Sequence, residues 1–237
     1  MTRKEGLGSP RGIKGFVETS FVDWPGKIVS VIFLGGCNYR CPLCHNPRLV
    51  KDQDQLADWP FAAIMERLCS FRGWIDGVCV TGGEPTVNPA LMEILTAFKE
   101  GEWPVKLDTN GSRPEAVAER LEKGLAAAFS VDVKAPFEDL PYRRNGGPGA
   151  DCSKVKETLR LLAASGLPVE TRTTVHPSLL SVPELRRLKA VVGELFGAGH
   201  PHRFQNCRTG ETLDPSFVGT VVPSQEDFKR MLAEAGL

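Results

Sequence analysis

The sequence predicts an α/β fold built on a mainly parallel sheet. Short apolar runs rich in β-branched residues alternate along the chain with segments whose apolar residues recur at helical spacing. Prolines fall near the starts of four helical segments, where the missing N–H is tolerated. Six strands are fewer than the eight of a closed barrel, so an open or partial (β/α) barrel and a doubly wound sheet both fit the pattern.

The predicted elements alternate from the first strand to the end of the chain. Strands are expected at 28–34, 77–81, 105–109, 128–133, 169–175 and 203–207. Helices are expected at 60–71, 89–100, 114–125, 153–164, 183–196 and 224–237, the last with Ser224 as its N-cap. The polar segment 143–147 is expected to be a solvated, flexible loop, with docking of a partner as the alternative. Each strand–helix–strand step is a βαβ unit, which makes consecutive strands parallel.

Length and composition indicate one soluble domain. The 237 residues are expected to form a single unit, with an N-terminal extension over about 1–14 and a helical tail over about 208–237. The 29 basic and 29 acidic residues cancel, whereas nucleic-acid-binding proteins usually carry a basic excess. The longest apolar run, 28–34, is far shorter than the ~20 residues of a membrane span, and no apolar secretory segment is visible. We therefore expect a cytoplasmic protein without membrane or nucleic-acid partners.

Polar segments follow five of the predicted strands. They lie at 35–45, 82–86, 108–111 and 132–134, with Arg172 and His176 on or just after the fifth strand. Ligands bind at the carboxyl ends of parallel strands in both candidate architectures. The sequence therefore predicts one site assembled from five separated segments.

The seven cysteines are unevenly distributed. Cys37, Cys41 and Cys44 fall within eight residues, and the other four are isolated. In a reducing compartment, a close group of thiols is more typical of a metal site than of disulfides. The isolated Cys69 and Cys79 are expected to be small buried hydrophobic residues.

The three grouped thiols fit an iron–sulfur cluster, which thiolates commonly hold in sets of four. With three protein ligands, one iron is left open to an outside molecule. The alternative is a structural zinc ion held by the same cysteines and His45. Adjacent Cys44 and His45 fit one tetrahedral ion poorly, and zinc ligands usually come as two separated pairs.

Two motifs resemble those of the radical S-adenosylmethionine (SAM) superfamily. The first is Cys-x3-Cys-x2-Cys at 37–44, directly after a strand, and the second is Gly-Gly-Glu-Pro at 82–85. Flanking segments make the resemblance more specific: Gly-Phe at 15–16, Ser-Phe-Val-Asp-Trp-Pro-Gly at 20–26, and His-Asn after the third cysteine. They resemble the enzymes that activate glycyl radical enzymes.

Within that group, the resemblance is strongest to anaerobic ribonucleoside-triphosphate reductase activating proteins, with pyruvate formate-lyase activases as relatives. Asp-Thr-Asn-Gly at 108–111 and Asp-Val-Lys at 132–134 extend the match, which covers about residues 15–176. The resemblance implies an α/β fold of the partial (β/α)6 TIM-like barrel type, with mostly parallel strands.

The resemblance also implies the chemistry. Cys37, Cys41 and Cys44 would hold a [4Fe–4S] cluster, and SAM would bind the fourth iron through its amino and carboxylate groups. One electron from the reduced cluster would cleave SAM to methionine and a 5′-deoxyadenosyl radical. That radical would take an α-hydrogen from a glycine of a partner glycyl radical enzyme, such as an anaerobic ribonucleotide reductase. The alternative is a radical SAM enzyme that modifies a peptide, a tRNA base or a small molecule.

As an oxidoreductase of anaerobic metabolism, such an enzyme would receive its electrons from a flavodoxin or a ferredoxin-type donor.

Gly82, Gly83 and Glu84 match the segment that receives the methionine end of SAM. The glycines let the backbone approach a ligand closely, and a carbonyl or Glu84 would accept from the SAM ammonium group.

Charged residues at later strand ends complete the implied site. Asp108, Thr109 and Asp132 match segments that help to bind a monovalent cation and SAM. Lys134 would complement the SAM carboxylate as a point charge, and Arg172 would face the carboxylate or the ribose.

The sequence departs from the family pattern in two places. Leu43 stands where many relatives carry an aromatic residue near the adenine. A late-strand histidine contacts SAM in a relative, and both His176 and His202 are candidates here.

Overall fold

The computed structural model describes residues 10–237, and these contain one seven-stranded sheet. The strands are β1 Ile13–Ser20, β2 Val29–Leu34, β3 Gly77–Gly82, β4 Val105–Thr109, β5 Ala128–Asp132, β6 Val169–Val175 and β7 His202–Asn206. The α-helices are α1 Pro47–Lys51, α2 Phe61–Ser70, α3 Leu91–Glu100, α4 Pro114–Glu122, α5 Asp139–Gly146, α6 Cys152–Ala164, α7 Val182–Phe196 and α8 Gln225–Glu234. Short 3₁₀ helices lie at Gln53–Gln55, Pro85–Val87 and Pro215–Phe217.

The strand order distinguishes between the two predicted architectures. The strands pair in chain order from β1 to β7; β1 is antiparallel to β2, and every later pair is parallel. A doubly wound sheet reverses its strand order part-way along, and no reversal occurs among the described strands. Steps in one direction with right-handed crossovers place the helices on one face. The fold is therefore α/β, with a mostly parallel open barrel, as the resemblance implied.

The two faces of the sheet have different chemistry, as β4 illustrates. Val105 and Leu107 belong to the main apolar core between the strands and the helices. The alternate residues Lys106 and Asp108 lie on the inner face, in contact with Cys79 of β3. Because successive side chains of a strand point to opposite faces, this one strand serves both the core and the interior of the barrel.

A small apolar cluster closes the end of the barrel where the parallel strands begin. Trp24 packs there with Val29, Val31, Cys79 and Ala128. A Cβ at Gly77, the first residue of β3, would lie 3.2 Å from the Trp24 ring. The segment before β2 is therefore a plug at the amino ends of the strands, opposite the carboxyl ends at which ligands are expected.

Local capping explains where several helices begin. Pro114 is the first residue of α4, and Asp151 caps α6 by accepting from Ser153 N. Ser181 and Glu184 form a capping box at the start of α7. The predicted N-cap of the last helix is confirmed, since the Ser224 side chain accepts from the backbone N–H of Asp227.

Two elements differ from the sequence prediction. β1 was not predicted, because the apolar residues of Ile13–Ser20 are interrupted by polar ones, as suits an edge strand. The prediction of a loop at 143–147 is wrong. Residues 143–146 form the last four residues of α5, and Gly147 caps that helix. Packing against the loop after β2, described below, orders this segment.

The isolated cysteines behave differently from one another. Cys79 is buried, as predicted. Cys69 is exposed, so that prediction is wrong. Cys69 lies on α2, and the apolar face of that helix is formed by Phe61, Ile64 and Leu68.

The predicted terminal segments are partly described. Residues 1–9 of the expected extension lie outside the described residues, and residues 13 and 14 belong to β1. The expected tail contains the 3₁₀ helix Pro215–Phe217 and α8. Among residues 10–237, no helix combines the length and hydropathy that crossing a bilayer requires.

His202 should make the stability of the fold depend on pH. Burial lowers the pKa of His202 to about 4, and its ring contacts Thr171 Oγ1 at 2.7 Å. In the unfolded chain the same histidine has an ordinary pKa of about 6.5. Between about pH 6.5 and pH 4 it therefore binds a proton in the unfolded chain but not in the folded one. The free energy of unfolding should therefore fall as the pH decreases from about 6.5 to 4, by at most about 1.4 kcal/mol per unit.

Anaerobic urea unfolding at about pH 7 and about pH 5.5 measures this dependence. The His202→Gln variant should lose less stability between the two conditions than the wild-type protein. Arg203→Lys, on the same strand, is the control and should match the wild type. An equal loss in all three proteins would contradict this role for His202.

Candidate active site

A cavity of about 350 Å³ opens at the carboxyl ends of the strands. All eleven residues that the sequence predicted for the site line its wall: Cys37, Cys41, Cys44, Gly82, Gly83, Glu84, Asp108, Thr109, Asp132, Lys134 and Arg172. They come from the segment after β2, from the end of β3 and the residues that follow it, from the end of β4, from the end of β5 and the segment after it, and from the middle of β6. The fold thus brings together five segments that span 136 positions of the chain, from 37 to 172.

The three thiols lie on the segment 35–46, which we call the cysteine loop. Burial raises the pKa of Cys37 to about 12, and it also raises the pKa values of Cys41 and Cys44. Without a metal, these thiols are therefore protonated at neutral pH. Metal binding must displace their protons, as is usual for thiolate ligands.

Backbone packing against the end of β3 positions the cysteine loop. Gly83 N donates to Leu34 O at 2.9 Å, and Glu84 N donates to Gly36 O at 2.8 Å. A Cβ at Gly83 would overlap Gly36 O, and one at Gly82, whose φ is +129°, would overlap Leu34 O. The two glycines are therefore required for close contact between two backbone segments, in addition to any approach to a ligand.

The Glu84 carboxylate connects the end of β3 to the end of β4. It accepts hydrogen bonds from the backbone and hydroxyl of Thr86, from Thr109 Oγ1 at 2.7 Å and from Asn110 N at 2.6 Å. Burial raises the pKa of Glu84, and these donors oppose that effect. Its oxygens are thus engaged within the protein, which leaves the backbone carbonyls of the glycine segment as the more available acceptors for an ammonium group.

Asn38 links the cysteine loop to the segment after β4. Asn38 Nδ2 donates to Ser112 Oγ at 2.8 Å, and Asn110 Nδ2 donates to Asn38 Oδ1 at 3.0 Å. Asn110 follows Thr109 directly in the sequence, and Ser112 is two residues further on. The segment 108–112 therefore supports the cysteine loop as well as lining the cavity.

The end of α5 supports the loop from the other side. Arg40 N donates to Gly146 O at 2.9 Å. Gly147 has φ +92°, and a Cβ there would lie 2.8 Å from Arg40 O. Asn145 is buried and lines the cavity. The sequence analysis did not predict this contact between α5 and the cysteine loop. The glycine pair at 146–147 was the feature of the sequence that indicates such a close approach of two backbones.

Five charged residues on β4, on β6 and at or just after the end of β5 form a charge cluster on the inner face. Arg172 bridges two carboxylates, with Nη2 3.0 Å from Asp108 Oδ2 and Nε 3.0 Å from Asp132 Oδ1. Lys134 Nζ lies 3.1 Å from Asp132 Oδ2, and Lys106 Nζ contacts Asp108 Oδ1. Burial alone would raise the pKa of Asp132, but Lys134 and Arg172 outweigh that effect and hold the pKa well below its usual range.

The cavity wall contains further residues that the sequence did not single out for binding. They are Asp23, Phe33, Thr81, Asn110, Asn145, Thr174, Leu179 and Gln205, among others. Leu43 also lines the wall, whereas His176 and His202 do not. His176 packs against Phe217, and His202 contacts threonines on the outer face of β6, so neither predicted histidine reaches the site.

A model of the Radical SAM superfamily matches residues 31–180, which is well over half of the chain and includes every predicted site residue. The chain belongs to the radical SAM superfamily. Enzymes of this superfamily use a [4Fe–4S] cluster and SAM, and three thiols on one cavity wall are a suitable donor set for such a cluster. The zinc alternative is therefore rejected.

Individual radical SAM relatives differ in how much of this chain they match. A Methanocaldococcus jannaschii protein named as a glycyl-radical enzyme activating enzyme is 27% identical over 226 residues, 92% of this chain and 89% of the relative. The pyruvate formate-lyase-activating enzyme of Clostridium pasteurianum is 34% identical over 180 residues, 72% of this chain and 71% of the relative.

A solved structure provides a comparison of the fold. Streptococcus suis SuiB, bound to the precursor peptide SuiA, superposes with a TM-score of 0.65 at 14% identity, covering 87% of this chain. The chain spans 44% of the length of SuiB. This likeness supports the radical SAM fold of the chain.

Replacing Gly83 should disrupt cluster assembly in this radical SAM protein. The Cβ of a Gly83→Ala variant would overlap Gly36 O, so the cysteine loop would have to shift. We expect iron and sulfide per chain, measured after anaerobic reconstitution, to fall by at least about half relative to wild type. Gly193→Ala, in α7 where a Cβ meets no atom within 4 Å, should retain full content. Equal iron content in both variants would contradict this role of Gly83.

Proposed function

We propose that this chain is an activating enzyme for a glycyl radical enzyme. With SAM and the reduced cluster bound, it would remove an α-hydrogen from a glycine of a partner protein. The observation that carries the proposal is the match to the M. jannaschii relative, which extends over about nine tenths of both chains. The match to a pyruvate formate-lyase-activating enzyme over about seven tenths of both chains supports it further.

In this proposal, the cysteine loop holds the cluster and the ends of the other strands hold SAM. Cys37, Cys41 and Cys44 would ligate three irons, leaving the fourth for the amino and carboxylate groups of SAM. When bound, the reduced cluster supplies the electron that cleaves SAM to methionine and the 5′-deoxyadenosyl radical. The organic chemistry belongs to the cofactors, and the protein contributes position, charge and exclusion of water.

We assign the methionine end of SAM to the glycine segment and to Lys134. Lys134 Nζ contacts Asp132, and an ammonium group has three donors, so further donors remain for the SAM carboxylate. Arg172 is paired with two carboxylates and would act mainly by orienting Asp132. A carbonyl of Gly82 or Gly83 would accept from the SAM amino group, because Glu84 is engaged by Thr86, Thr109 and Asn110.

The rest of the wall suits a polypeptide segment. Thr81, Thr174 and Gln205 offer hydrogen-bonding groups, whereas Phe33 and Leu179 offer apolar surface. A glycine has no side chain, so a loop that carries one can bring its α-carbon close to a reactive group. Reduction by a flavodoxin or ferredoxin-type donor, in an oxygen-free cytoplasm, completes the proposal.

A second candidate is a radical SAM enzyme that modifies another peptide. The observation that favours it is the structural likeness to SuiB, whose structure was solved with a bound precursor peptide. The length of the matches favours activation of a glycyl radical enzyme. The chain spans less than half of the length of SuiB but most of the length of the two activating-enzyme relatives.

Loss of one thiol should abolish the cluster. Cys41 lines the cavity, whereas Cys69 is exposed on α2 and serves as a matched control. After anaerobic reconstitution, Cys41→Ala should retain less than about a tenth of the wild-type iron and sulfide, and Cys69→Ala should retain all of it. Full iron content in Cys41→Ala would refute the ligand assignment.

Activation itself is tested by following hydrogen transfer. The reconstituted enzyme, SAM and a reductant are incubated with the anaerobic ribonucleotide reductase or the pyruvate formate-lyase of the same organism, labelled with α-deuterated glycine. We expect a glycyl radical signal by electron paramagnetic resonance and deuterium in the released 5′-deoxyadenosine. A partner whose radical-bearing glycine is replaced by alanine should give neither. Release of unlabelled 5′-deoxyadenosine without a radical on either partner would favour the peptide-modifying candidate.

A further inference from the structure

The carboxylates expected to bind a monovalent cation already have cationic partners within the chain. Both oxygens of Asp108 are occupied, one by Lys106 Nζ and the other by Arg172 at 3.0 Å. Both oxygens of Asp132 are also occupied, by Arg172 at 3.0 Å and by Lys134 at 3.1 Å. Thr109 Oγ1, the third expected ligand, donates to Glu84 Oε1 at 2.7 Å and accepts from Gly111 N at 3.0 Å.

Lys106 is the unusual member of this charge cluster. Its side chain is only 2% exposed, and it lies on a strand whose neighbours Val105 and Leu107 are core residues. The residues in register with it on the adjacent strands, Cys79 and Ala128, are both small. They leave room for the lysine to extend along the inner face towards Asp108, with Nζ 3.8 Å from Cys79 Sγ.

The occupancy of the carboxylate oxygens disfavours an additional cation. Three cationic groups, Lys106, Lys134 and Arg172, occupy all four oxygens of Asp108 and Asp132. The other two carboxylates of the cavity wall, Asp23 and Glu84, accept hydrogen bonds from within the chain. A sodium or potassium ion at Asp108 would have to displace an ammonium or guanidinium group, and the remaining cationic groups would repel it. The residues present therefore do not fit a bound monovalent cation.

We propose that the ammonium group of Lys106 takes the place of a monovalent cation beside Asp108, so that this chain binds SAM without sodium or potassium. A lysine two positions before a strand-end aspartate can fill this role because both side chains lie on the same face. The inference rests on the proposed position of SAM at Asp108 and Asp132. It does not depend on which protein is the substrate.

The wild-type protein provides the first test. SAM binding to the reconstituted protein, with its cluster oxidised so that SAM is not cleaved, is measured by anaerobic calorimetry. The buffers contain either potassium chloride or tetramethylammonium chloride at equal ionic strength, which keeps screening constant. We expect dissociation constants within about twofold of each other. A SAM affinity that rises about tenfold or more with potassium would overturn the proposal.

The Lys106→Met variant provides the second test. It removes the charge but keeps a long side chain, which leaves Asp108 with one cationic partner. In tetramethylammonium chloride, SAM binding should weaken about tenfold or more, and potassium should restore at least part of the loss. Lys123→Met, at the exposed end of α4, is the control and should behave as wild type in both salts. The proposal would also be overturned if the Lys106→Met protein folds and its SAM affinity is the same with and without potassium.

A double variant covers the case in which Lys106→Met fails to fold or loses its cluster. In Lys106→Met with Asp108→Asn, no uncompensated carboxylate remains to attract a cation. Iron content should recover, and SAM binding should show no response to potassium. A potassium response in the double variant would count against Asp108 as the group that Lys106 neutralises. These measurements use no protein substrate, so a failure of glycyl radical activation would not affect them.

Discussion

The position of the cluster ligands depends on one contact between two stretches of main chain. The peptide groups after β3 donate to Leu34 O and Gly36 O, and the glycines leave no space between the two segments. Burying such groups without partners would cost about 1–3 kcal/mol each, so the contact is retained as a unit. The cysteine loop is therefore held by the backbone itself, and side chains such as Asn38 refine its position. A chain that lacked either glycine could keep the cysteines and still misplace them.

The charge cluster follows from strand geometry. Lys-Leu-Asp at 106–108 and Asp-Val-Lys at 132–134 each place a cation and a carboxylate two positions apart, on the same face of the sheet. Arg172 joins the two pairs across the strand ends. Buried charges are tolerated only when they are paired, and here every carboxylate oxygen has a cationic partner.

The one-directional strand order explains why the site is at one end of the barrel. Helices cover the outer face, and Trp24 with its neighbours closes the end where the strands begin. The cavity lies at the opposite end, where the strands have their carboxyl ends. A site enclosed at one end of a barrel suits radical chemistry, which must be shielded from water.

The sequence by itself determined which residues to look for at the carboxyl ends of the strands. The alternation of strands and helices, the three grouped cysteines and the strand-end motifs are local patterns, and all eleven residues that they predicted line one cavity. Only the tertiary structure decided the open barrel, because the direction of each crossover depends on which strands pair and not on any local pattern. It also revealed β1 and the packing of α5 on the cysteine loop, since edge pairing and the contact of Gly146 with Arg40 join residues that are far apart in the chain. Lys106 belongs to the same class: in the sequence it is a lysine within an apolar strand, and its role is visible only once the register places it on the inner face beside Asp108.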